Sequence, residues 1–157
     1  MKITTTKSLT DTQFDQINQL WNAEYPIKLK DRFGILLDGV ANYTHYLLQD
    51  ENNEVLAWAV QFEKDNEVRF SIIVKSNQQG KGFGKLLVQK LKDDLDEFYG
   101  WVIDHNDDKK SDGTSYQSPL AFYEKLDFEI LQDQRIDSEM LKAVKIKWKK
   151  ITRPKQL

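Results

Sequence analysis

Apolar and polar residues alternate along the chain with two different periods, and these periods predict the order of helices and strands. A short strand is predicted at residues 1–5. Thr10 and Gln13 have the spacing of a capping box and are followed by apolar residues at helical intervals, so we expect a first amphipathic helix that ends before Pro26. A second helical pattern covers residues 29–40.

The middle of the chain contains three β-rich runs followed by a glycine-rich segment. The runs cover residues 44–49, 55–62 and 68–74, and polar, turn-like segments separate them. This pattern predicts an antiparallel meander. The third run leads into a glycine-rich turn at 75–84, after which the apolar residues of 83–95 form one helical stripe.

The last third of the chain predicts a buried strand, a short helix and a hairpin. Residues 99–104 are almost wholly apolar, which is typical of a strand buried on both faces and parallel to the strand before the glycine turn. Ser118 and Pro119 are a good N-cap and first helical residue for a short last helix. Residues 128–136 and 141–149 then predict a hairpin whose alternating lysines leave one face in solvent.

These elements follow the order β-α-α-β-β-β-α-β-α-β-β. The order predicts an α+β fold, an α/β sandwich with a mixed, mainly antiparallel central sheet and helices on both faces. With 157 residues, of which 39% are hydrophobic, the chain has the size and core material of a single domain. Because no repeat or proline-rich linker interrupts it, we expect one domain over residues 1–157.

Composition and charge argue against several classes of function. Twenty-three basic and twenty-five acidic residues give a net charge of -2, which provides no overall attraction to nucleic acid or to an anionic membrane. The absence of cysteine excludes disulfides, thiolate metal ligands and a cysteine nucleophile, and the two histidines lie in separate predicted elements, so no metal site is expected. With no signal-peptide pattern and no uncharged run long enough to span a bilayer, we expect a cytoplasmic protein.

The glycine-rich turn is the first candidate for chemistry. In Gln79-Gly80-Lys81-Gly82-Phe83-Gly84, the glycines permit positive φ angles and a close approach of the backbone to a ligand. Successive N–H groups at the start of the following helix would bind phosphate oxygens. A tight strand-to-helix connection without a ligand explains the same residues as well, so the surrounding sequence has to decide.

Two known phosphate-binding patterns fit this turn poorly. The loop of nucleoside triphosphatases ends in Gly-Lys-Ser/Thr, whereas Leu86 follows Gly84-Lys85 here and offers no hydroxyl to magnesium. A dinucleotide-binding fold places its glycines after the first strand of a parallel unit, whereas three antiparallel strands are predicted before this turn. Asp104 does lie about 20 residues after Gly84, as the dinucleotide pattern requires, so that alternative stays open.

Two motifs of the chain are similar to those of a known family. Ile72-Ile73-Val74 is followed by Gln79-x-x-Gly82-x-Gly84, and the segment Ser118-Pro-Leu-Ala-Phe-Tyr-Glu-Lys-Leu-Asp-Phe128 comes after the predicted buried strand. In this order they resemble the GNAT superfamily of N-acetyltransferases, over nearly the whole chain. The resemblance implies a GNAT-like acyl-CoA N-acyltransferase fold, acetyl-CoA (coenzyme A) as cofactor, and transfer of an acetyl group to a primary amine.

The resemblance also implies where the cofactor binds. The backbone of Ile72 and Val74 would pair with the pantetheine arm, as an added strand would. Tyr116 and Ser118 would lie along the cofactor or substrate cleft. The pyrophosphate would be bound by the residues of the glycine turn and its lysines, which are Gln79, Gly80, Lys81, Gly82, Gly84 and Lys85.

Acyl transfer to an amine needs a proton for the departing thiolate and a neutral amine. By the resemblance, Tyr123 is the general acid, and a phenol with a pKa of about 10 suits that role; a tyrosine that only packs in the core is the competing interpretation. The family often places a carboxylate base on the strand predicted at 68–74, which has none here. Asp104 and His105 are the nearest substitutes, and a water relay would need no base.

The acceptor is expected to be the amine of a small molecule or a peptide. By the resemblance, residues of the first two helices and their junction wall its pocket, although the same residues could equally form core. These residues are Trp21, Glu24, Tyr25 and Phe33. Dimers are common in such enzymes, so a homodimer is a further expectation.

Two other functions compete with the enzyme. One is a catalytically inactive acyl-CoA-binding regulatory domain that has the turn but no turnover. The other is nucleic-acid binding through a basic cluster around Trp148, although lysines along an edge strand also serve to prevent edge-to-edge pairing. The cluster comprises Lys142, Lys145, Lys147, Lys149, Lys150, Arg153 and Lys155.

Overall fold

The computed structural model describes residues 1–151 and shows the predicted order of helices and strands. The elements are β1 (Lys2–Thr6), α1 (Asp11–Glu24), α2 (Phe33–Leu36), β2 (Ala41–Gln49), β3 (Val55–Lys64), β4 (Glu67–Val74), α3 (Phe83–Asp94), β5 (Glu97–Ile103), α4 (Leu120–Lys125), β6 (Glu129–Asp137) and β7 (Lys142–Lys149). Two 3-10 turns cover Ile27–Leu29 and Ser76–Gln78. None of the helices in residues 1–151 is long and apolar enough to cross a membrane.

Seven strands form one sheet in the order β1-β2-β3-β4-β5-β7-β6. Every neighbouring pair is antiparallel except β4 and β5, which confirms the predicted mixed, mainly antiparallel sheet. The prediction that the lysines of residues 141–149 lie on an edge strand is wrong. β7 lies between β5 and β6, and β6 forms the edge.

The parallel strands β4 and β5 are paired at a single position, where Arg69 lies opposite Tyr99. On their outer sides both strands stay paired to their carboxyl ends, since Val74 lies opposite Ala57 on β3 and Ile103 opposite Ala143 on β7. The sheet therefore opens between β4 and β5 while each strand remains anchored to its other neighbour.

Each face of the sheet carries its own hydrophobic core. On one face, Ile17 and Trp21 of α1 pack with Phe33 of α2 and with Trp58 of β3. On the other face, the side chains of α3 and α4 pack on the sheet together with Phe98 of β5. The predicted helices on both faces are thus confirmed, and the opening between β4 and β5 connects the two sides.

The first predicted helix is present as α1, whereas the second is much shorter than predicted. The capping box is present, because Thr10 Oγ1 accepts from Gln13 N at 3.1 Å and Gln13 Oε1 accepts from Thr10 N at 3.0 Å. The predicted helix at 29–40 is wrong beyond a single turn. Asp31, in the left-handed region with a φ of 61°, and Gly39, with a φ of 70°, interrupt the helical backbone on either side of α2.

Two burial predictions for the second half of the chain also need correction. In β5, Phe98 and Val102 are buried, but Tyr99 and Trp101 are only half-buried, so one face of this strand is not covered by a helix. In β7, Lys145 is buried rather than solvated, because its Nζ forms an ion pair with Glu67 at 2.7 Å. Glu67 lies on β4, on the other side of β5 from β7, and a lysine with such an ionic partner does not need the solvent-exposed face that its alternation with Val144 and Ile146 suggests.

Candidate active site

A cavity of about 880 Å³ occupies the opening between β4 and β5 and extends to both faces of the sheet. On the face of α1 and α2 it is lined by side chains such as Tyr25, Ser71 and Trp101. On the face of α3 and α4 it is lined by the glycine turn and by Tyr123. One continuous space therefore connects the glycine turn with Trp21, Glu24 and Tyr25 of the predicted acceptor wall, whereas Phe33 lies in the core. Its volume is typical of a small-molecule site.

The glycine turn has the geometry of a phosphate cradle. Gly80 and Gly82 have φ angles of 81° and 83°, and a Cβ built on either would meet no atom within 4 Å. Gly82 is the N-cap of α3, so the N–H groups of the first helical turn have no acceptor within the helix. The turn therefore presents free N–H groups and open space, which is what a diphosphate requires.

The free edge of β4 is oriented toward the cavity. Lys75 N donates to Leu56 O of β3 at 3.0 Å, so in the alternating pattern of an antiparallel pair the N–H groups of Ile72 and Val74 point away from β3. They point toward β5, which has already diverged at this level. Two backbone donors are thus available to an extended ligand that lies along β4.

The remaining residues predicted to bind the cofactor divide into two groups. Lys85 and Tyr116 line the cavity, as do Gln79, Gly80, Gly82 and Gly84. Lys81 and Ser118 do not: Lys81 Nζ donates to Gln78 Oε1 at 3.1 Å, and Ser118 Oγ donates to Ile103 O at 2.5 Å and accepts from Leu120 N. Ser118 therefore ties α4 to β5, although α4 begins one residue later than the sequence predicted.

Tyr123 both packs in the core and lines the cavity. Its ring packs edge-on against Phe70 and Phe128, with centroid distances of 5.6 and 5.3 Å, and only 6% of the residue is exposed. It also lines the cavity and makes no side-chain hydrogen bond within residues 1–151. Burial, helped by the nearby phenols of Tyr25 and Tyr116, holds its pKa well above the ordinary value, so it stays protonated at neutral pH.

A second hydroxyl pair lies on the α1 side of the opening. Tyr25 OH and Ser71 Oγ are 3.0 Å apart and form a hydrogen bond, and burial raises the pKa of the Tyr25 phenol. Tyr116 packs against Tyr25 with a centroid distance of 6.2 Å, and its pKa is also raised by burial. No sequence motif marks Ser71 as a site residue, because a serine in a buried strand is common. It lines the cavity because β4 and β5 diverge.

Asp104 and His105, predicted as substitutes for the base, do not line the cavity. Asp104 forms a bidentate ion pair with Arg135 at 2.7 and 3.2 Å, which lowers its pKa. His105 Nδ1 accepts from Asp107 N at 3.1 Å, and its Nε2 lies 3.8 Å from a carboxylate oxygen of Asp108. Their assignment stays a prediction, and Asp104 is not free for the ribose contact of a dinucleotide-binding fold.

Glu24, one of the residues that the resemblance places at the acceptor pocket, lines the cavity. It is buried at the end of α1, where its carboxylate accepts from Ser76 N at 2.9 Å, from Ser76 Oγ and from Lys110 Nζ at 3.1 Å. These contacts join α1 to the turn after β4 and to the loop between β5 and α4. A carboxylate at the carboxyl end of a helix opposes the helix dipole, and its contacts with Ser76 and Lys110 compensate for this.

Two lysines of the predicted basic cluster near the carboxyl end form ion pairs with glutamates of the sheet. Lys145 is paired with Glu67 and lies over the rings of Tyr99 and Trp101, and Lys147 Nζ lies 3.4 Å from Glu97. These two lysines share one face of β7, where their charges are paired with carboxylates of the sheet. Arg153 and Lys155 of the predicted cluster lie outside the described residues.

Residues 41–130 match the family model of the acetyltransferase (GNAT) domain, which is more than half of the chain. The chain belongs to the GNAT family of N-acetyltransferases. The matched region runs from β2 into β6, so it includes the opening between β4 and β5, the glycine turn and Tyr123 of this GNAT domain. No curated protein sequence matches the chain.

Solved structures support the same fold. ElaA of Escherichia coli superposes with a TM-score of 0.66 at 16% identity, covering 94% of this chain and 99% of ElaA. A GNAT superfamily phosphinothricin acetyltransferase from Sinorhizobium meliloti, in complex with AcCoA, gives 0.62 at 16% identity over 99% and 95% of the two chains. The ribosomal-protein-S18-alanine N-acetyltransferase from Escherichia coli gives 0.62 at 17% identity, with 99% of each chain covered. At such low identity these similarities define the fold of the GNAT domain and leave its acceptor open.

Proposed function

We propose that this GNAT domain transfers the acetyl group of acetyl-CoA to a primary amine of a small molecule or a peptide. The observation that carries the proposal is the single cavity through the sheet, with a phosphate cradle at one end, free β4 donors in the middle and a protonated phenol beside them. Those three features correspond to the diphosphate, the pantetheine amides and the sulfur of an acyl-CoA.

The residues present fit this cofactor. The open space above Gly80 and Gly82, where an added Cβ would meet nothing, suits the diphosphate, and Lys85 supplies positive charge nearby. The N–H groups of Ile72 and Val74 would donate hydrogen bonds to the amide oxygens of the pantetheine arm, which would lie along β4 as an added strand does. Bound acetyl-CoA supplies a thioester, whose carbonyl carbon is open to attack by an amine.

In the proposed reaction, Tyr123 donates the proton that the thiolate leaving group needs. Its raised pKa keeps the phenol protonated until the sulfur develops negative charge. The Tyr25–Ser71 pair, at the opposite wall, would position the amine through hydrogen bonds. The carboxylate of Glu24 is already occupied by Ser76 and Lys110, so water in the cavity is the proposed carrier for the amine proton.

A turnover assay tests the proposal. Acetyl-CoA is mixed with a panel of primary amines, and free thiol is detected with a colorimetric reagent; the protein contributes no thiol because it lacks cysteine. Tyr123→Phe is expected to lower kcat about 100-fold or more while leaving the Kd of coenzyme A unchanged. Tyr43→Phe, which removes a hydroxyl away from the cavity lining, is the matched control.

The same assay separates the enzyme from an inactive acyl-CoA-binding domain. Coenzyme A binding without thiol release for any amine would favour the inactive domain. Equal rates for the wild type and Tyr123→Phe would remove Tyr123 from the mechanism. Cytoplasmic location and a homodimer stay predictions, for which fractionation and light scattering are the direct measurements.

A further inference from the structure

The part of the cavity beside α1 and α2, here called the acceptor half, is mainly apolar and has no unpaired carboxylate among the described residues of its lining. Its lining beside α1 and α2 is aromatic and aliphatic, with Trp21 and Leu36 from the helices, Leu29 from the 3-10 turn between them and Phe62 from the sheet. Glu24 is the only carboxylate that lines the cavity within residues 1–151, and Ser76 and Lys110 occupy its oxygens. This half therefore offers no free negative charge to a second ammonium group of an acceptor.

Positive charge gathers at the far end of this half, at the β3–β4 hairpin. Phe62 lies directly opposite Arg69, and Lys64 directly opposite Glu67, so these side chains share the face of the sheet on which Ser71 and Tyr25 meet. Both Lys64 and Arg69 line the cavity. Arg69 lies two residues from Ser71 along β4, a distance of about 7 Å. Lys64 lies opposite Glu67, which is four residues from Ser71, or about 14 Å along the strand.

On the face of the sheet that carries Arg69, the charges near this hairpin do not cancel. Lys64 and Arg69 of the hairpin and Lys145 of β7 face two carboxylates, those of Asp65 and Glu67, whereas Glu63 lies opposite Val68 on the other face. Arg69 bonds Glu67 through Nε at 2.9 Å and Asp65 through Nη2 at 3.2 Å, and Lys145 also binds Glu67. Lys64 forms no ion pair with any of residues 1–151, so one positive charge remains.

We propose that the acceptor is an elongated amine with an apolar body and an anionic group, such as a carboxylate, at the end opposite the amine. The amine lies at the Tyr25–Ser71 pair, the body lies along Phe62 and the α1–α2 wall, and the anion lies against Lys64 and Arg69. Polyamines are disfavoured because their second ammonium group would meet positive charge without a counterion. This inference rests on the proposed acetyl transfer.

Three acceptors of equal length test the inference. 8-Aminooctanoate, octylamine and 1,8-diaminooctane share the amine and the apolar body but end in a negative, a neutral and a positive group. Their extended length, about 10 Å, falls between the two distances from Ser71. With acetyl-CoA, kcat/KM is expected to be highest for 8-aminooctanoate and lowest for 1,8-diaminooctane, with about a threefold step at each change of charge.

Substitutions at Lys64 test whether its charge causes the expected order of kcat/KM among the three amines. Lys64→Met should reduce the preference for 8-aminooctanoate over octylamine about threefold, and Lys64→Glu should place the diamine above the carboxylate. Lys90→Met, on the outer side of α3 and paired with Asp94, is the control and should keep the wild-type order. Rising ionic strength should shrink the differences.

The outcomes distinguish this inference from the proposed function. If octylamine is acetylated but the terminal charge has no effect, the transferase stands and the anionic acceptor is wrong. If none of the three is acetylated, titration calorimetry with each amine decides. Tighter binding of 8-aminooctanoate than of octylamine, together with weaker binding of 8-aminooctanoate to Lys64→Met than to the wild type, supports the site without turnover. Equal binding of all three overturns it.

Discussion

Gln79 Nε2 donates a hydrogen bond to the main-chain oxygen of Val74 at 3.1 Å. This bond joins the first residue of the glycine motif to the last residue of β4, across the 3-10 turn at Ser76–Gln78. The same strand end carries the backbone donor that would meet the pantetheine arm. Gln79 therefore fixes the glycine turn relative to the end of β4.

Removing this bond should weaken cofactor binding moderately. Gln79→Ala leaves the exposed turn free to move relative to β4, and loss of one hydrogen bond corresponds to about a two- to tenfold increase in the Kd of coenzyme A. Titration calorimetry measures it. Gln89→Ala on α3, which removes a bond to Asp93, is the matched control and should leave the Kd unchanged. An unaltered Kd for Gln79→Ala would show that the cradle is held by its glycines alone.

Gly82→Ala should affect both stability and binding. Its φ of 83° lies in the left-handed region, where a Cβ costs about 1 kcal/mol of folding free energy. The new Cβ would also enter the open space proposed for the diphosphate, so we expect the Kd of coenzyme A to rise about tenfold. Urea denaturation and calorimetry measure the two effects separately.

Gly113→Ala supplies the control for that experiment. Gly113 has a φ of 85° and open space around it, but it lies in the loop before α4 and does not line the cavity. It should lose similar stability, about 1 kcal/mol, without any change in coenzyme A affinity. If the two variants weaken binding equally, the effect of Gly82→Ala is a general loss of stability and the cradle is misassigned.

Local patterns predicted the elements of the fold well because each depends on neighbouring residues. The capping box of Thr10 and Gln13 and the glycine turn formed as expected. The helix expected at 29–40 did not, because apolar spacing cannot show that Asp31 adopts a left-handed backbone. Strand order was equally hidden, and with it the interior position of β7.

The site was harder to predict because it depends on where β4 and β5 stop pairing. The sequence motifs pointed to Tyr123 and the glycine turn. Ser71 and Glu24 carry no motif, and their importance comes from partners 46 and 52 residues away along the chain. Asp104, by contrast, was a reasonable prediction from its position at a strand end, yet Arg135 from the edge strand binds it.

His45 should make the folding stability fall at mildly acidic pH. Its Nδ1 accepts from Trp58 Nε1 at 3.0 Å in the core, and desolvation lowers its pKa from 6.5 to about 4. Between these values the unfolded chain binds the proton and the folded chain does not, so this contribution is complete above pH 6.5 and is lost as the pH falls toward 4. We expect a loss of about 1–3 kcal/mol over that window.

Urea denaturation at a series of pH values measures this loss. His45→Gln keeps an acceptor for Trp58 but cannot be protonated, so its stability should change less than that of the wild type between pH 6.5 and 4. Above pH 7 the two curves should run parallel. Equal slopes through the acidic window would assign the loss to carboxylates instead.

The Glu24–Lys110 ion pair should couple more strongly than an exposed pair. The side chains are 9% and 17% exposed and their charged atoms are 3.1 Å apart, so little water screens them. Lys110→Met leaves Glu24 with Ser76 only, and Glu24→Gln leaves Lys110 without a counterion. A double-mutant cycle on the free energy of unfolding should give a coupling of about 1–2 kcal/mol.

The pair formed by Lys90 and Asp94 on α3 provides the comparison. Its side chains are 39% and 36% exposed and 3.7 Å apart, so the same cycle should give less than about 0.5 kcal/mol.

Loss of the Glu24–Lys110 pair should also affect the kinetics of the proposed reaction. Glu24 and Lys110 join α1 to the loop that carries Tyr116, so their loss should raise KM for the amine more than it lowers kcat, because the acceptor wall loosens while Tyr123 keeps its own packing. A fall in kcat alone would place Glu24 in the chemistry instead.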